Sequence, residues 1–369
     1  MALADRLRYA RERSGLTQSQ AKDRTGIGDS SLSEFENGRR EPSLAQLHAL
    51  ARAYHRSIAF FLAQEEPAPE VVLWRKQPGD PTEDIEGRFR QLCEQYHNLE
   101  VWCNETLQVR LPFYEGDAES LNYVRAEELA GIACNALNLG GRPGPALLTV
   151  LEEVCGVKIF HLRFQPIGTA ACTFDEAFGP AVLLNSENVR WRRNHDLAHE
   201  LFHLLTWKTL RTVHESNVPS DKEEKLATCF AVNLLMPADV ARTAINSRLK
   251  DGRIAYTDLF DVAREFDVSA ESLLWRIHFL YGKRPEDSEE TSRQIESMRA
   301  AAGQFEEREK DSPPVWPARY YRLAVTALRR GDISIGRFAE YLGITRQEAM
   351  KYTEQEIPDD EEVRVTPAA

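Results

Sequence analysis

One stretch constrains this chain more than any other: His199-Glu200-Leu201-Phe202-His203, set inside the run 189–207. The run has helical spacing, and Leu197, Ala198, Leu201, Leu204 and Leu205 give it an apolar side that needs a core to cover it. On a helix, residues i and i+4 stand one turn apart on the same face, so the two imidazoles face the same way. Two such side chains can hold one divalent metal at about 2.0–2.1 Å. Glu200 is rotated off their line and within reach of a water beside the metal, where a carboxylate serves as general base.

A metal site that also does chemistry needs a third protein ligand and an open position. A third histidine at the spacing HExxHxxGxxH would fall at position 209, and Thr209 stands there. The alternative is a carboxylate from the helical run 221–235. Glu224 opens that run, Glu223 is its competitor, and His214 lies in the intervening loop. His195 extends the histidine row by one more turn. The outer pair of such a row is about 12 Å apart at 1.5 Å rise per residue, so His195 is read as a supporting group.

The rest of the chain reads as α+β and mostly helical. Residues 1–65 form an all-α group of five short helices, with Thr17 and Gln20 spaced as a capping box and Gly26 and Gly38 as punctuation. A linker and connecting helix are expected over 66–110, with prolines around residues 65–70 and 78–82 and a long helix over 83–106. The segment 111–282 mixes helices with a small sheet from 157–160, 170–174 and 181–184, read as antiparallel. A charged linker over 283–314, a helical segment over 315–353 and a disordered acidic tail over 354–369 complete the division. No internal repeat is evident.

Charge excludes one class of partner surface. The chain carries 46 Lys+Arg against 58 Asp+Glu, a formal charge of −12, so a basic coat for nucleic acid is ruled out and only a local basic face remains. No run of eighteen apolar residues exists, which excludes a transmembrane helix and predicts no membrane partner. The N-terminus, with Asp5, Arg6 and Arg8, reads as an amphipathic helix and not as a signal peptide. Six cysteines without a CxxC pair fit buried apolar positions in a reducing cytoplasm.

Residues 197–205 followed by 224–237, Glu-Lys-Leu-Ala-Thr-Cys-Phe-Ala-Val-Asn-Leu-Leu-Met-Pro, resemble the ImmA/IrrE family of metallopeptidases. Thr228 stands where that family usually has Asn, and His195 where it usually has an aromatic residue. The resemblance implies a zincin-like domain in which His199, His203 and Glu224 bind Zn2+ and Glu200 is the catalytic base. Residues 5–63 resemble the Cro/repressor-like (XRE) helix-turn-helix through Leu16-Thr17-Gln18, Gly26-Ile27 and residues 36–43. That resemblance implies contacts with double-stranded operator DNA from Gln18, Ser30, Ser31, Ser33, Arg39 and Arg40. Asp29 and Glu34 depart from it by bringing acids to the face, and residues 1–66 hold ten Lys+Arg against nine Asp+Glu.

Together the two resemblances imply a cytoplasmic DNA-binding transcriptional regulator with zinc endopeptidase activity. Its substrate would be a regulatory protein, either a repressor or its own chain near the linker 65–81, cut in a stress, phage or mobile-element response. Such modules commonly read palindromes as homodimers. The competing reading is a regulator or antitoxin-like protein that uses the peptidase fold as a sensor, without turnover.

Overall fold

Local chemistry sets the first five helices: α1 (Leu3–Arg13), α2 (Gln18–Thr25), α3 (Asp29–Glu36), α4 (Leu44–Ala53) and α5 (Ile58–Leu62). Thr17 with Gln20, and Ser43 with Gln46, close capping boxes that open α2 and α4. Gly26 ends α2 at φ +71°, a left-handed conformation that favours a residue without Cβ. Leu7, Leu32, Phe35, Leu50, Tyr54 and Phe61 fill the core between these helices. Beside it the guanidinium of Arg11 bonds the buried carboxylate of Glu36 at 2.6 Å.

The computed structural model describes residues 1–63, 71–75, 82–166, 169–213, 218–282, 293, 296–297, 300 and 311–354. Outside them fall the expected linker 65–70, most of the loop 78–82 and of the segment 283–314, nearly all of the tail 354–369, and His214. The chain forms two compact units: residues 1–94 with 107–315, and residues 95–106 with the segment from Trp316 on. No helix among the described residues is long and apolar enough to cross a membrane.

In the first unit the five helices are followed by β1 (Leu73–Trp74) and by the start of α6 (Thr82–Cys103). Then come α7 (Tyr123–Ala136), α8 (Gly144–Glu153), β2 (Lys158–Leu162), β3 (Ala170–Asp175) and β4 (Gly179–Asn185). Helices α9 (Arg190–Val213), α10 (Asp221–Leu235), α11 (Ala238–Asn246), α12 (Tyr256–Phe266) and α13 (Ala270–Leu280) complete it. The strand order is β1-β3-β4-β2. The sheet is mixed, which corrects the antiparallel reading: β4 lies between β2 and β3, antiparallel to β3 and parallel to β2. β1 adds antiparallel to β3, with Leu73 opposite Cys172 and Trp74 opposite Ala171.

Helix α9 packs against β3 and β4, and α10 packs on both α9 and α7. Leu197, Leu201, Leu204 and Leu205 of α9 meet Phe230, Leu234 and Leu235 of α10 in one continuous core, all fully buried. This packing sets the faces that the two helices turn to each other.

The second unit gathers the last part of α6 with α14 (Ala318–Arg330), α15 (Ile335–Leu342) and α16 (Arg346–Glu354). Tyr96, Leu99, Tyr320, Leu323, Phe338 and Ala349 are buried there, and Arg319 pairs with the buried Glu100. No sequence repeat marks it, but α14 to α16, of 13, 8 and 9 residues, follow one another much as α1 to α3 do, of 11, 8 and 8. Helices α2 and α15 each have 8 residues; they begin at Gln18 and Ile335, and the helices after them begin at Asp29 and Arg346. Over residues 3–36 and 320–353 the identical pairs are Ala10/Ala327, Arg13/Arg330, Gly26/Gly343 and Ile27/Ile344, too few to signal a repeat in the sequence alone.

Candidate functional site

Helix α9 places His199 and His203 one turn apart on the side that meets α10, with ring centroids 5.1 Å apart. Helix α10 begins at Ser220, whose hydroxyl accepts the backbone N–H of Glu223 at 3.2 Å. Asp221, Glu223 and Glu224 lie in this first turn, where the helix dipole favours negative charge. Glu224 points its Oε2 to His199 Nε2 at 3.2 Å and its Oε1 to His203 Nε2 at 3.3 Å. One ligand-type atom from each of His199, His203 and Glu224 lies within 4.8 Å of the others.

Glu223 turns the other way. Its Oε1 takes His203 Nδ1 at 3.0 Å and also the guanidinium of Arg211. Thus His203 meets an acid at each ring nitrogen. Glu200, 1% exposed, has both carboxylate oxygens buried without a hydrogen bond among the described residues. Cys172 of β3 is its neighbour: burial, and then the charge of Glu200, push that thiol well above its usual range.

Burial dominates the electrostatics of these groups. It lowers His199 to about 3, so that imidazole is neutral. It raises Glu200 to about 7. Burial alone would also lower His203, but Glu223 and Glu224 outweigh it and raise the ring to about 9. Burial would raise Glu224, but the two imidazoles outweigh it and hold the carboxyl at about 2.

The turn of α9 before the motif carries a charged cluster that sequence reading missed. Asp196 is fully buried and accepts Arg75 Nη1 at 3.0 Å and Asn188 Nδ2 at 2.9 Å, and it pairs with Arg192 Nε at 3.0 Å. An acid four residues before Glu200 on a buried helix side was the available signal; Arg75, far away in sequence, gave none. His195 is mostly covered, its side chain 13% exposed, with its ring 6.4 Å from that of His199 and its Nδ1 3.9 Å from Asp196. Burial lowers its pKa.

The residues expected on DNA are less uniform. Ser30 leads the exposed face of α3, and Arg39 and Arg40 follow that helix in exposed positions. Ser31 and Ser33 are half-buried, and Ser33 accepts the side-chain amide of Asn37. Gln18 donates its amide to Glu36 at 3.0 Å, inside the domain. Lys22 pairs with Asp29 at 3.0 Å, and Arg40 lies 3.9 Å from Glu34.

Residues 2–59 match the family model described as a helix-turn-helix domain, and residues 152–278 match the IrrE N-terminal-like domain. The second match spans β2 to α13 and takes in both helices of the His/His/Glu cluster. The chain therefore joins an N-terminal helix-turn-helix domain to an IrrE-like domain of metallopeptidase type. Over 66 residues it is 35% identical to the HTH-type transcriptional regulator ImmR of Bacillus subtilis (strain 168). That stretch is 18% of this chain and 52% of the regulator, so the chain spans about half the length of this relative. Among solved structures, Bacillus thuringiensis PlcR in complex with the peptide PapR7 and DNA aligns over 95% of this chain and 94% of its own. The identity is 14% and the TM-score 0.16, a level that carries no argument about the fold.

Proposed function

We propose that this protein is a zinc-dependent endopeptidase joined to a DNA-binding regulator, with 1–65 as the DNA-binding part and 111–282 as the peptidase. The observation that carries the reading is the convergence of His199, His203 and Glu224 beside a buried Glu200. The residues fit a metal: His203 Nε2 and Glu224 Oε1 face each other at 3.3 Å, and neither makes a hydrogen bond to any other group among the described residues. Two imidazoles and one carboxylate are the donor set of a catalytic zinc site.

When bound by His199, His203 and Glu224, zinc supplies a Lewis acid for the peptide carbonyl and lowers the pKa of water to about 7. Glu200 accepts the proton of the attacking water on its carboxylate and passes it to the leaving amine nitrogen. A carboxyl raised to about 7 by burial suits both transfers near neutral pH. Glu223 holds the His203 ring through Nδ1, which leaves Nε2 free for the metal.

The N-terminal helices bind operator DNA through the exposed Ser30, Arg39 and Arg40, with Ser31 and Ser33 in supporting positions. Gln18 serves this face indirectly, by tying α2 to Glu36. The 35% identity over 66 residues to a transcriptional regulator supports this reading, and a cytoplasmic location goes with it. The substrate is a regulatory protein, a repressor or the chain itself.

The test is metal content by elemental analysis of wild type, His203→Ala and Glu224→Ala, followed by proteolysis assays with Glu200→Gln. About one zinc per chain, lost in both ligand variants, is expected. Glu200→Gln should keep zinc and lose hydrolysis. If Glu200→Gln retains full regulatory function, the peptidase fold is a sensor and the proteolytic reading falls.

A further inference from the structure

We propose that α14, α15 and α16 form a second helix-turn-helix, which reads duplex DNA with α16 as its recognition helix. This goes beyond the metal centre and does not depend on it.

The first observation is the structural repeat. Leu16 and Ile333, each 6% exposed, anchor the turn before the second helix of their set. Thr17 and Ser334 then cap that helix, each side chain accepting a backbone N–H three residues on. Gly26 and Gly343 end it in the left-handed conformation, at φ +71° and +61°. Ile27 and Ile344 follow. The third helix then begins, with Leu32 and Ala349 buried at the same position. A helix ended by a tight turn and followed by a second one is the scaffold that sets a recognition helix in the major groove.

The second observation is what α16 presents. Arg346, Gln347 and Lys351 are exposed, at the positions where α3 has Asp29, Ser30 and Glu34. Arg pairs with guanine, and Gln with adenine, by two parallel hydrogen bonds in the major groove, and Lys meets guanine or phosphate. Met350, 45% exposed, adds an apolar group suited to a thymine methyl. Of the two acids on this helix, Glu348 is exposed but engaged by its own cap, accepting Thr345 N and Thr345 Oγ1, both at 2.8 Å, and Glu354 is the last residue of the helix. Arg337 adds an exposed cation from α15.

Charge separates this segment from the rest of the chain. Residues 316–354 hold seven Lys+Arg against four Asp+Glu, in a chain of formal charge −12. Three of those arginines are used internally: Arg319 and Arg322 on Glu100 and Glu105, and Arg330 on the carbonyl of Cys103. Tyr320, Leu323, Phe338 and Tyr341 fill the core of the unit, and α16 presents Arg346, Gln347 and Lys351 beside the exposed Met350. That face complements a phosphate backbone.

The experiment uses the full-length protein and a pool of duplexes of randomised sequence, selected by wild type, by Arg346→Ala/Lys351→Ala, and by Ser30→Glu/Ser31→Glu. Affinity is then measured on the enriched duplexes across a salt series. The α16 variant should bind wild-type-enriched duplexes at least about tenfold more weakly. Its slope of log K against log salt should be shallower by about 0.9 for each cation that met a phosphate. Its thermal midpoint should stay that of wild type, since both side chains are exposed. Arg346→Lys keeps the charge and loses the fork, so it should relax sequence choice while the slope stays. The Ser30/Ser31 variant should still enrich sequences that depend on Arg346, which separates this proposal from the N-terminal reading. The proposal is overturned if the α16 variant selects the same sequences with the same affinity and slope as wild type. It is equally overturned if wild type enriches nothing, or if the α16 variant changes only self-association in sedimentation.

Discussion

Glu223 and His203 are joined through Nδ1 at 3.0 Å, on the side of the ring away from Glu224. Neighbouring acids on one helix turn thus do different work, since successive side chains point about 100° apart around the axis. Glu223→Gln should leave the three ligands in place and weaken zinc binding by roughly 10–100-fold, the usual effect of losing a group that orients a ligand. Glu224→Ala should lose the metal altogether. Competition against a chelator of known affinity checks both; equal affinities for Glu223→Gln and wild type would remove Glu223 from the site.

Zinc uptake should be coupled to one proton. In the ion-free protein His203 stands at about 9, above its ordinary 6.5, so it is protonated at neutral pH. Its proton stabilises the ion-free fold fully below about 6.5, and that contribution is lost as pH rises through about 9. Metal must displace the same proton. Affinity should therefore rise about tenfold per pH unit from 7 to 9 and flatten above. His199, at about 3, and Glu224, at about 2, add nothing in this window, and Glu200, at about 7, adds a fraction of a proton at its lower edge only. Calorimetry in two buffers of different ionisation enthalpy should find about one proton released at pH 7; a flat affinity from pH 7 to 9 would contradict the assignment.

What sequence could reveal of this site follows from how local each signal is. His199, Glu200 and His203 are separated by helix geometry alone, so their spacing carries their arrangement. Glu224 and Glu223 differ by one step around α10, and only a family resemblance chose between them. Arg75 reaches Asp196 from just after a strand of two residues, too short to show alternation. The sheet was legible as strands but not as an order, because burial patterns do not say that β4 separates β2 from β3. The C-terminal repeat escaped because what recurs is the position of caps, left-handed glycines and buried side chains, not residue identity.

Asp196→Asn should destabilise the first unit by roughly 3 kcal/mol, because it removes the anion from a buried cluster and leaves Arg75 and Arg192 facing a neutral amide. Both arginines reach solvent in part, which keeps the cost at the low end of the range for broken buried pairs. Arg75→Ala should cost less, since Arg192 and Asn188 still hold Asp196. Urea unfolding curves measure both; a neutral Asp196→Asn would mean that the cluster does not hold α9 in place.

Gly26→Ala and Gly343→Ala should each cost about 1–2 kcal/mol, the penalty of placing a Cβ in the left-handed region. Space is not the cause. A Cβ on Gly26 meets nothing within 4 Å, and one on Gly343 meets only Trp316 at 3.9 Å, an ordinary contact. Gly131 supplies the opposite sign: it lies inside α7 with open space around it, and Ala there should stabilise by roughly 0.5–1 kcal/mol. Urea unfolding followed by a probe in each unit reads the three variants. Equal penalties at Gly26 and Gly343 are what two equivalent helix-turn-helix turns require. A cost at Gly26 with none at Gly343 would mean that α15 does not need its turn, and the equivalence of the two motifs would fail.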